Sequence, residues 1–312
     1  MGNIVLNGIM GFCVGDAIGV PHESKSREEI NKSPVTSMEG FGTNNQYKGT
    51  WSEDTSMVLC TTQSLIQGLD YDDMARKISM CLNEGYLTSH GETFGVGSTT
   101  RNTLINYEKG LDVTSLGRSS DTDRGNGSLM RMLPIAFYLC TNDVDRYEII
   151  KKTSSITHSH RIPIMACSIY SLFAINLIAG ETMWNAYINV KEEIKGVYTS
   201  DEDKQDLKLF SRILDNNIIM YSQEEIKFSG YVVDTLESVF WCFLNGDGYE
   251  DCVLKAVNLG EDTDTIAALV GGLAGIYYGY EDIPQQWIKD ISKREIIEDI
   301  SNRFYDVLVN IN

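Results

Sequence analysis

Positive charge is what this 312-residue chain has least of. Lys and Arg number 26 against 44 Asp and Glu, a formal net charge of −18. Such an acidic chain has no general grip on a phosphate backbone, so nucleic acid is not an expected partner. An anionic small ligand would need a local remedy, such as a bound cation or helix N-termini. No Cys-x-x-Cys occurs. The seven cysteines (Cys13, Cys60, Cys81, Cys140, Cys167, Cys242 and Cys252) are odd in number, scattered and mostly inside apolar runs. That pattern argues against a zinc site or disulfide frame and for reduced, buried thiols in a cytoplasmic protein. The apolar stretch Met1 to Val20 lacks a basic n-region and carries Asp16, which argues against a signal peptide. No segment is read as reaching membrane-spanning length, so no membrane partner is expected. Alternating strands, internal repeats and low-complexity tracts are missing too, which leaves an all-α, glycine-rich helical fold. At 42% hydrophobic, the chain can bury a substantial core.

What is there centres on Gly260-Glu261-Asp262-Thr263-Asp264-Thr265. The following run, Ile266 to Gly279, carries no charge and is apolar on every side. It is too short for a bilayer and too long for a typical strand, so it reads as a buried helix. Each glycine in it costs roughly 1 kcal/mol against alanine, so other backbones are expected to come very close. Asp and Thr are good N-cap residues, placing the helix start within Asp262 to Thr265. Two carboxylates and a hydroxyl there are either ordinary caps or half of a hard-metal site.

Ile4 to Val20 reads as a first buried helix, ended by Pro21, with Glu23 on the loop beyond. Residues 24–50 read as loop with one short helix. Ser52 is a candidate N-cap, and Glu53 and Asp54 open a helix with Met57, Leu59, Cys60, Leu65 and Ile66 on an apolar face. This repeats the device seen at Asp262. Met74, Ile78, Cys81 and Leu82 mark a helix within residues 70–90. Gly95-Val96-Gly97-Ser98-Thr99 is a small-residue loop opening a helix, suited to cradling phosphate on backbone N–H groups. It follows no strand and is no dinucleotide fingerprint. Gly125-Asn126-Gly127-Ser128 is another glycine turn before an apolar helix, and it is not a Gly-x-Ser-x-Gly elbow. His158 and His160 suggest zinc only weakly, without a third ligand nearby in sequence. Residues 185–229 read as a solvated helical segment. Tyr231 precedes an apolar helix from Leu236 to Leu244, and a tail with Ile288, Ile291, Ile296, Ile297, Ile300 and Phe304 at helical spacing closes the fold.

Taken together, these motifs resemble the ADP-ribosylglycohydrolase family, to which the dinitrogenase-reductase-activating glycohydrolases belong. The resemblance rests on Gly15-Asp16-Ala17-Ile18-Gly19 with Glu23, Trp51 to Met57, Gly125 to Arg131, and Thr157-His158. It continues through Gly230 to Leu236, Ala256 to Gly260, and Asp262 to Thr265, and so covers nearly the whole chain. It implies one domain over residues 1–312, an orthogonal all-α bundle around two divalent cations, magnesium or manganese. The implied metal ligands are Ser52, Glu53, Asp54, Asp262, Asp264 and Thr265. Four carboxylates in one cleft repel unless cations neutralise them, and an all-oxygen donor set suits hard ions.

The implied reaction is hydrolysis of the bond joining ADP-ribose to an acceptor, either arginine nitrogen or an O-linked group, on a protein or small-molecule conjugate. Asp54 or Glu23 would position or deprotonate the attacking water. Residues 95–99 and Asn126 to Ser128 would hold the diphosphate, with His158 and Tyr231 along the ADP-ribose and Tyr231 at the adenine end. Two departures stand out. Members usually have Thr-Asp-Asp where this chain has Ser52-Glu53-Asp54, and often an Asp where it has Gly95. The alternatives are an ADP-ribose binder with impaired catalysis, or a structural protein reusing the fold.

Overall fold

The computed structural model describes residues 3–310, and it is helical, without named strands among them. In chain order the α-helices are α1 Ile4–Gly19, α2 Arg27–Lys32, α3 Glu53–Leu65, α4 Tyr71–Glu84 and α5 Ser98–Glu108. Then come α6 Met132–Thr141, α7 Arg146–Ser155, α8 Arg161–Ile178, α9 Met183–Val197, α10 Asp201–Leu207 and α11 Ser211–Leu214. The last are α12 Val232–Leu244, α13 Tyr249–Val257, α14 Thr263–Tyr278, α15 Gln285–Asp290 and α16 Arg294–Asn310.

The glycines of the two apolar helices explain themselves in one seam. A Cβ on Gly15 of α1 would collide with the Ala267 carbonyl of α14, and one on Gly271 with the Gly11 carbonyl. The two helices therefore meet backbone to backbone, an approach that a larger side chain would block. The seam runs to the site: Thr263 Oγ1 donates to the Gly19 carbonyl at 2.8 Å. Buried tyrosines brace it from outside, Tyr249 Oη donating to Gly11 O at 2.6 Å and Tyr170 Oη to Leu269 O at 3.1 Å.

Several expectations need correcting. Two helices, Ile4–His22 and Arg161–Ile178, are long and apolar enough to cross a membrane, but 83% and 72% of those windows are buried inside the protein. The core supplies the apolar surroundings that such a run would otherwise seek in lipid. Residues 185–229 are not uniformly solvated. α10 buries nothing, whereas Tyr187, Val190 and Ile194 of α9, and Phe210, Ile213 and Ile218 beyond, lie in the core. The charge of Ser200 to Lys204 masked those apolar positions. α3 is buried on nearly every side, its Thr61 and Thr62 hydroxyls turned back onto Met57 O and Val58 O. In the tail Ile297, Ile300 and Phe304 are buried, but Ile296 is exposed. Six of the seven thiols are buried and Cys140 is exposed.

Candidate active site

The two acidic helix starts come together. Thr265 Oγ1 at the start of α14 donates to Asp54 Oδ2 at the start of α3, at 2.7 Å. Around them lies a cavity of about 480 Å³, lined among others by Glu23, Glu53, Asp54, Asp262, Asp264, Thr265 and His158. That volume lies within the ordinary range of small-molecule sites. Six acidic residues line it, Glu23, Glu53, Asp54, Glu261, Asp262 and Asp264, and among the described residues no Lys or Arg does.

Capping does not account for these acids. Asp262 occupies the N-cap position of α14 but makes no side-chain cap bond. Its Oδ2 accepts instead from Asn126 Nδ2 at 2.6 Å. Asp264 Oδ1 accepts from the Thr265 N–H at 2.9 Å. At α3 the capping is done by others. Ser52 Oγ accepts from the Asp54 N–H at 3.2 Å. Asp16, a fully buried residue of α1, accepts from the Ser52 N–H at 3.1 Å, the Thr55 N–H at 3.0 Å and Thr55 Oγ1 at 2.6 Å. Sequence reading missed this role for Asp16. The available signal was a lone acid within an otherwise apolar helix. Burial pushes the Asp16 carboxyl up to about 6, against the pull of its Thr55 and Ser52 hydrogen bonds.

Electrostatically the cluster is crowded. Burial raises Glu53, Asp54 and Asp264 well above the usual carboxylate range. Neighbours add to it: Asp264 acts on Glu53, Glu53 on Asp54, and Glu23 and Asp54 on Asp264. Asp262 is raised by burial and partly relieved by its Asn126 and Thr265 hydrogen bonds. Among the described residues, the buried Glu53 Oε2 has no hydrogen-bond partner. An all-oxygen, mutually repelling set with an orphaned carboxylate oxygen fits hard divalent cations in its chemistry. In arrangement it is not yet closed: among the described residues, no three His, Cys, Asp or Glu side chains are grouped to hold one ion as they stand. The hydroxyl of Thr265 and the amide of Asn126 occupy carboxylate oxygens that ligation would need.

The two sequence departures turn out to be one feature. A Cβ on Gly95, whose φ is +83°, would collide with Glu53 Oε2. The longer acid at 53 fills the space that a side chain at 95 would take. Glu261 bridges two segments through its backbone. Its φ is +59°, and its N–H donates to Lys25 O while its carbonyl accepts from the Ser24 N–H, each at 2.7 Å. It thus ties the Glu23 loop to the start of α14. Glu23 itself is held by Asn44, whose Nδ2 donates to its Oε2 at 2.7 Å.

The remaining candidates divide. Gly95, Val96, Gly97, Ser98 and Thr99 line the cavity at the N-terminus of α5, which has no side-chain cap, as do Asn126 and Gly127. Three residues do not line it. Ser52 is buried behind the acids, with its oxygen engaged as a cap. Ser128 is fully buried and faces inward, its Oγ 3.0 Å from Ser154 Oγ. Tyr231 pairs through its backbone with Gly125, and Ser229 and Gly230 form the wall in its place. The sequence shows which residues adjoin the site, not which way each side chain turns. Ser24, Met57, Thr122 and Met130 line the cavity and were not anticipated.

A helical scaffold presenting acids and open helix N-termini to a small-molecule cavity has the form of a hydrolase site for a charged ligand. A model of the ADP-ribosylglycohydrolase family matches residues 3–310. The chain is 30% identical to an ADP-ribosylarginine hydrolase, Tri1, of Serratia proteamaculans (strain 568), over 95% of this chain and 77% of that protein. It is 28% identical to the ADP-ribosyl-[dinitrogen reductase] glycohydrolase of Rhodospirillum rubrum, over 93% and 90% respectively. A solved structure described as an ADP-ribosylglycohydrolase-related protein complex superposes with a TM-score of 0.82 at 26% identity, covering 98% of both chains. The chain belongs to the ADP-ribosylglycohydrolase family, whose members are hydrolases acting on ADP-ribose linkages.

Proposed function

We propose that the protein hydrolyses the glycosidic bond between ADP-ribose and an arginine side chain, using two divalent cations, magnesium or manganese. The observation that carries this reading is a cavity lined by six acidic residues and, among the described residues, by no lysine or arginine. A diphosphate ligand is repelled by such a wall unless cations intervene, while a guanidinium acceptor is attracted to it. The printed activity of the Serratia relative, ADP-ribosylarginine hydrolysis, agrees with a cationic acceptor.

Glu53, Asp54, Asp262, Asp264 and Thr265 would hold the ions. Bound there, the ions would lower the pKa of water and offset the charge of the ligand. The chain does the rest. The open N-terminus of α5 and the turn at Asn126 and Gly127 offer backbone donors to the diphosphate. Asp54 and Glu23 are the candidate bases for the attacking water. The carboxylates around the anomeric carbon favour the positive charge that develops as the bond breaks.

The test is ADP-ribose release from ADP-ribosyl-arginine and ADP-ribosyl-serine substrates, with Mg²⁺, with Mn²⁺ and with chelator. Metal-dependent release from the arginine substrate supports the reading. Release from the serine substrate alone replaces the acceptor. Tight ADP-ribose binding without release from either would instead make this an ADP-ribose binder. Glu23→Gln should leave metal affinity intact and slow turnover.

A further inference from the structure

We propose that Arg131, acting through Thr157, is a positioning residue that holds His158 with its proton on Nε2, so that this N–H is offered to an anionic oxygen of the ligand. The ligand's identity rests on the ADP-ribose reading above; the proton's location does not.

Arg131 is fully buried, and its Nη2 donates to Thr157 Oγ1 at 2.6 Å. The same oxygen lies 2.8 Å from His158 Nδ1. Thr157 is also fully buried, and these are its hydroxyl's two partners among the described residues. A guanidinium only donates. The hydroxyl proton therefore goes to Nδ1, which must be bare, and the neutral ring carries its proton on Nε2. In the other tautomer two donors would point at one hydroxyl, whose own proton would be buried without an acceptor. The doubly protonated ring is disfavoured as well, since burial and the neighbouring Arg131 charge push His158 down to about 3.

The backbone fixes where the ring points. The His158 N–H donates to Ser154 O at 2.8 Å, and Ser154 Oγ donates to the His158 carbonyl at 2.9 Å. The Nε2–Cε1 edge lies against the glycine turn. A Cβ on Gly127 would stand 2.9 Å from Cε1 and 3.1 Å from Thr100 Oγ1, and one on Gly125 would stand 3.6 Å from Nε2. That edge lies where His158, Gly125, Gly127 and the start of α5 border one cavity, and Nε2 has no protein partner among the described residues. The arginine is not explained by stability. Its Nε and Nη1 are buried without partners among the described residues, an arrangement that an apolar side chain would improve.

The experiment reads the histidine ring nitrogens by ¹⁵N NMR in wild type, Thr157→Val and Thr157→Ser, with His158→Gln to assign the signals. ADP-ribose affinity is measured on the same proteins. Wild type should show the Nε2–H tautomer. Thr157→Val should give a mixture or the Nδ1–H form with about tenfold weaker binding, and Thr157→Ser should restore both. These conservative variants keep the shape of the site, and Arg131→Met, which removes the donor to Thr157, should also mix the tautomers. An Nδ1–H ring in wild type, or a Thr157→Val protein with unchanged tautomer and affinity, would overturn the proposal. If the tautomer responds as described but the wild type binds no ADP-ribose, the proton relay stands and the ligand reading fails.

Discussion

At the start of α3 the backbone donors are satisfied from outside, by Ser52 and by Asp16 reaching over from α1. At the start of α14 the acid in the cap position leaves its helix uncapped and turns to Asn126. One acidic turn is thus held by a hydrogen-bonding carboxylate behind it, the other by the glycine seam between α1 and α14. Both arrangements free the neighbouring carboxylates for the cavity. At neither start is the acid that faces the cavity used as the side-chain cap, and α1 supports both turns, through Asp16 and through Gly19.

The largest effect should come from breaking the α14 half. Asp264→Ala should lower turnover by about 10³-fold and abolish stabilisation by Mg²⁺ or Mn²⁺, with helical circular dichroism retained. Unchanged metal affinity by calorimetry would show that this turn is not a ligand. Attacking the seam should cost stability first. Gly15→Val forces α1 off Ala267 and should destabilise by about 3 kcal/mol, read as a lowered denaturant midpoint. A midpoint within error of wild type would mean that the helices separate without cost.

On the α3 side, Asp16→Asn keeps the shape but weakens three hydrogen bonds, and turnover should fall about 10- to 100-fold while metal still binds. Equal loss with Asp16→Ala and Asp16→Asn would show that charge, not shape, is what α3 requires. Acid stability gives a smaller effect, away from both turns. His158 takes its proton at about 3 when folded but near 6.5 when unfolded, so the unfolded chain binds the extra proton between those values. Stability contributed by the neutral ring is complete above about 6.5 and falls with decreasing pH, by up to about 1.4 kcal/mol per unit. His158→Gln should flatten that slope in unfolding measured from pH 7 to pH 4.5. The smallest effect is expected at Glu261, held at φ +59°. Glu261→Gly relieves the backbone and should raise Tm by about 1–2 °C; a lower Tm would mean that its side chain holds the loop as well.

Much of this was legible in order along the chain. Ser52, Asp262 and the charge-free run after Thr265 mark helix starts by residue type alone, and the glycines of α1 and α14 announce close backbones before either helix is seen. What misled was direction. Ser128 and Tyr231 sit beside cavity residues in sequence, yet one turns into the core and the other leaves the wall to Ser229 and Gly230, because a turn sends successive side chains different ways. Glu53 and Gly95 looked like two separate departures until space showed them filling one volume.

Sequence alone determined the helical fold, the family and the identity of the acids, because periodicity, caps and motif residues are local properties. Only the tertiary structure decided which acids were spent on capping, that Asp16 serves α3, and which nitrogen of His158 faces the cavity. Those outcomes depend on partners 26 to 211 positions apart, brought within hydrogen-bond reach by the fold.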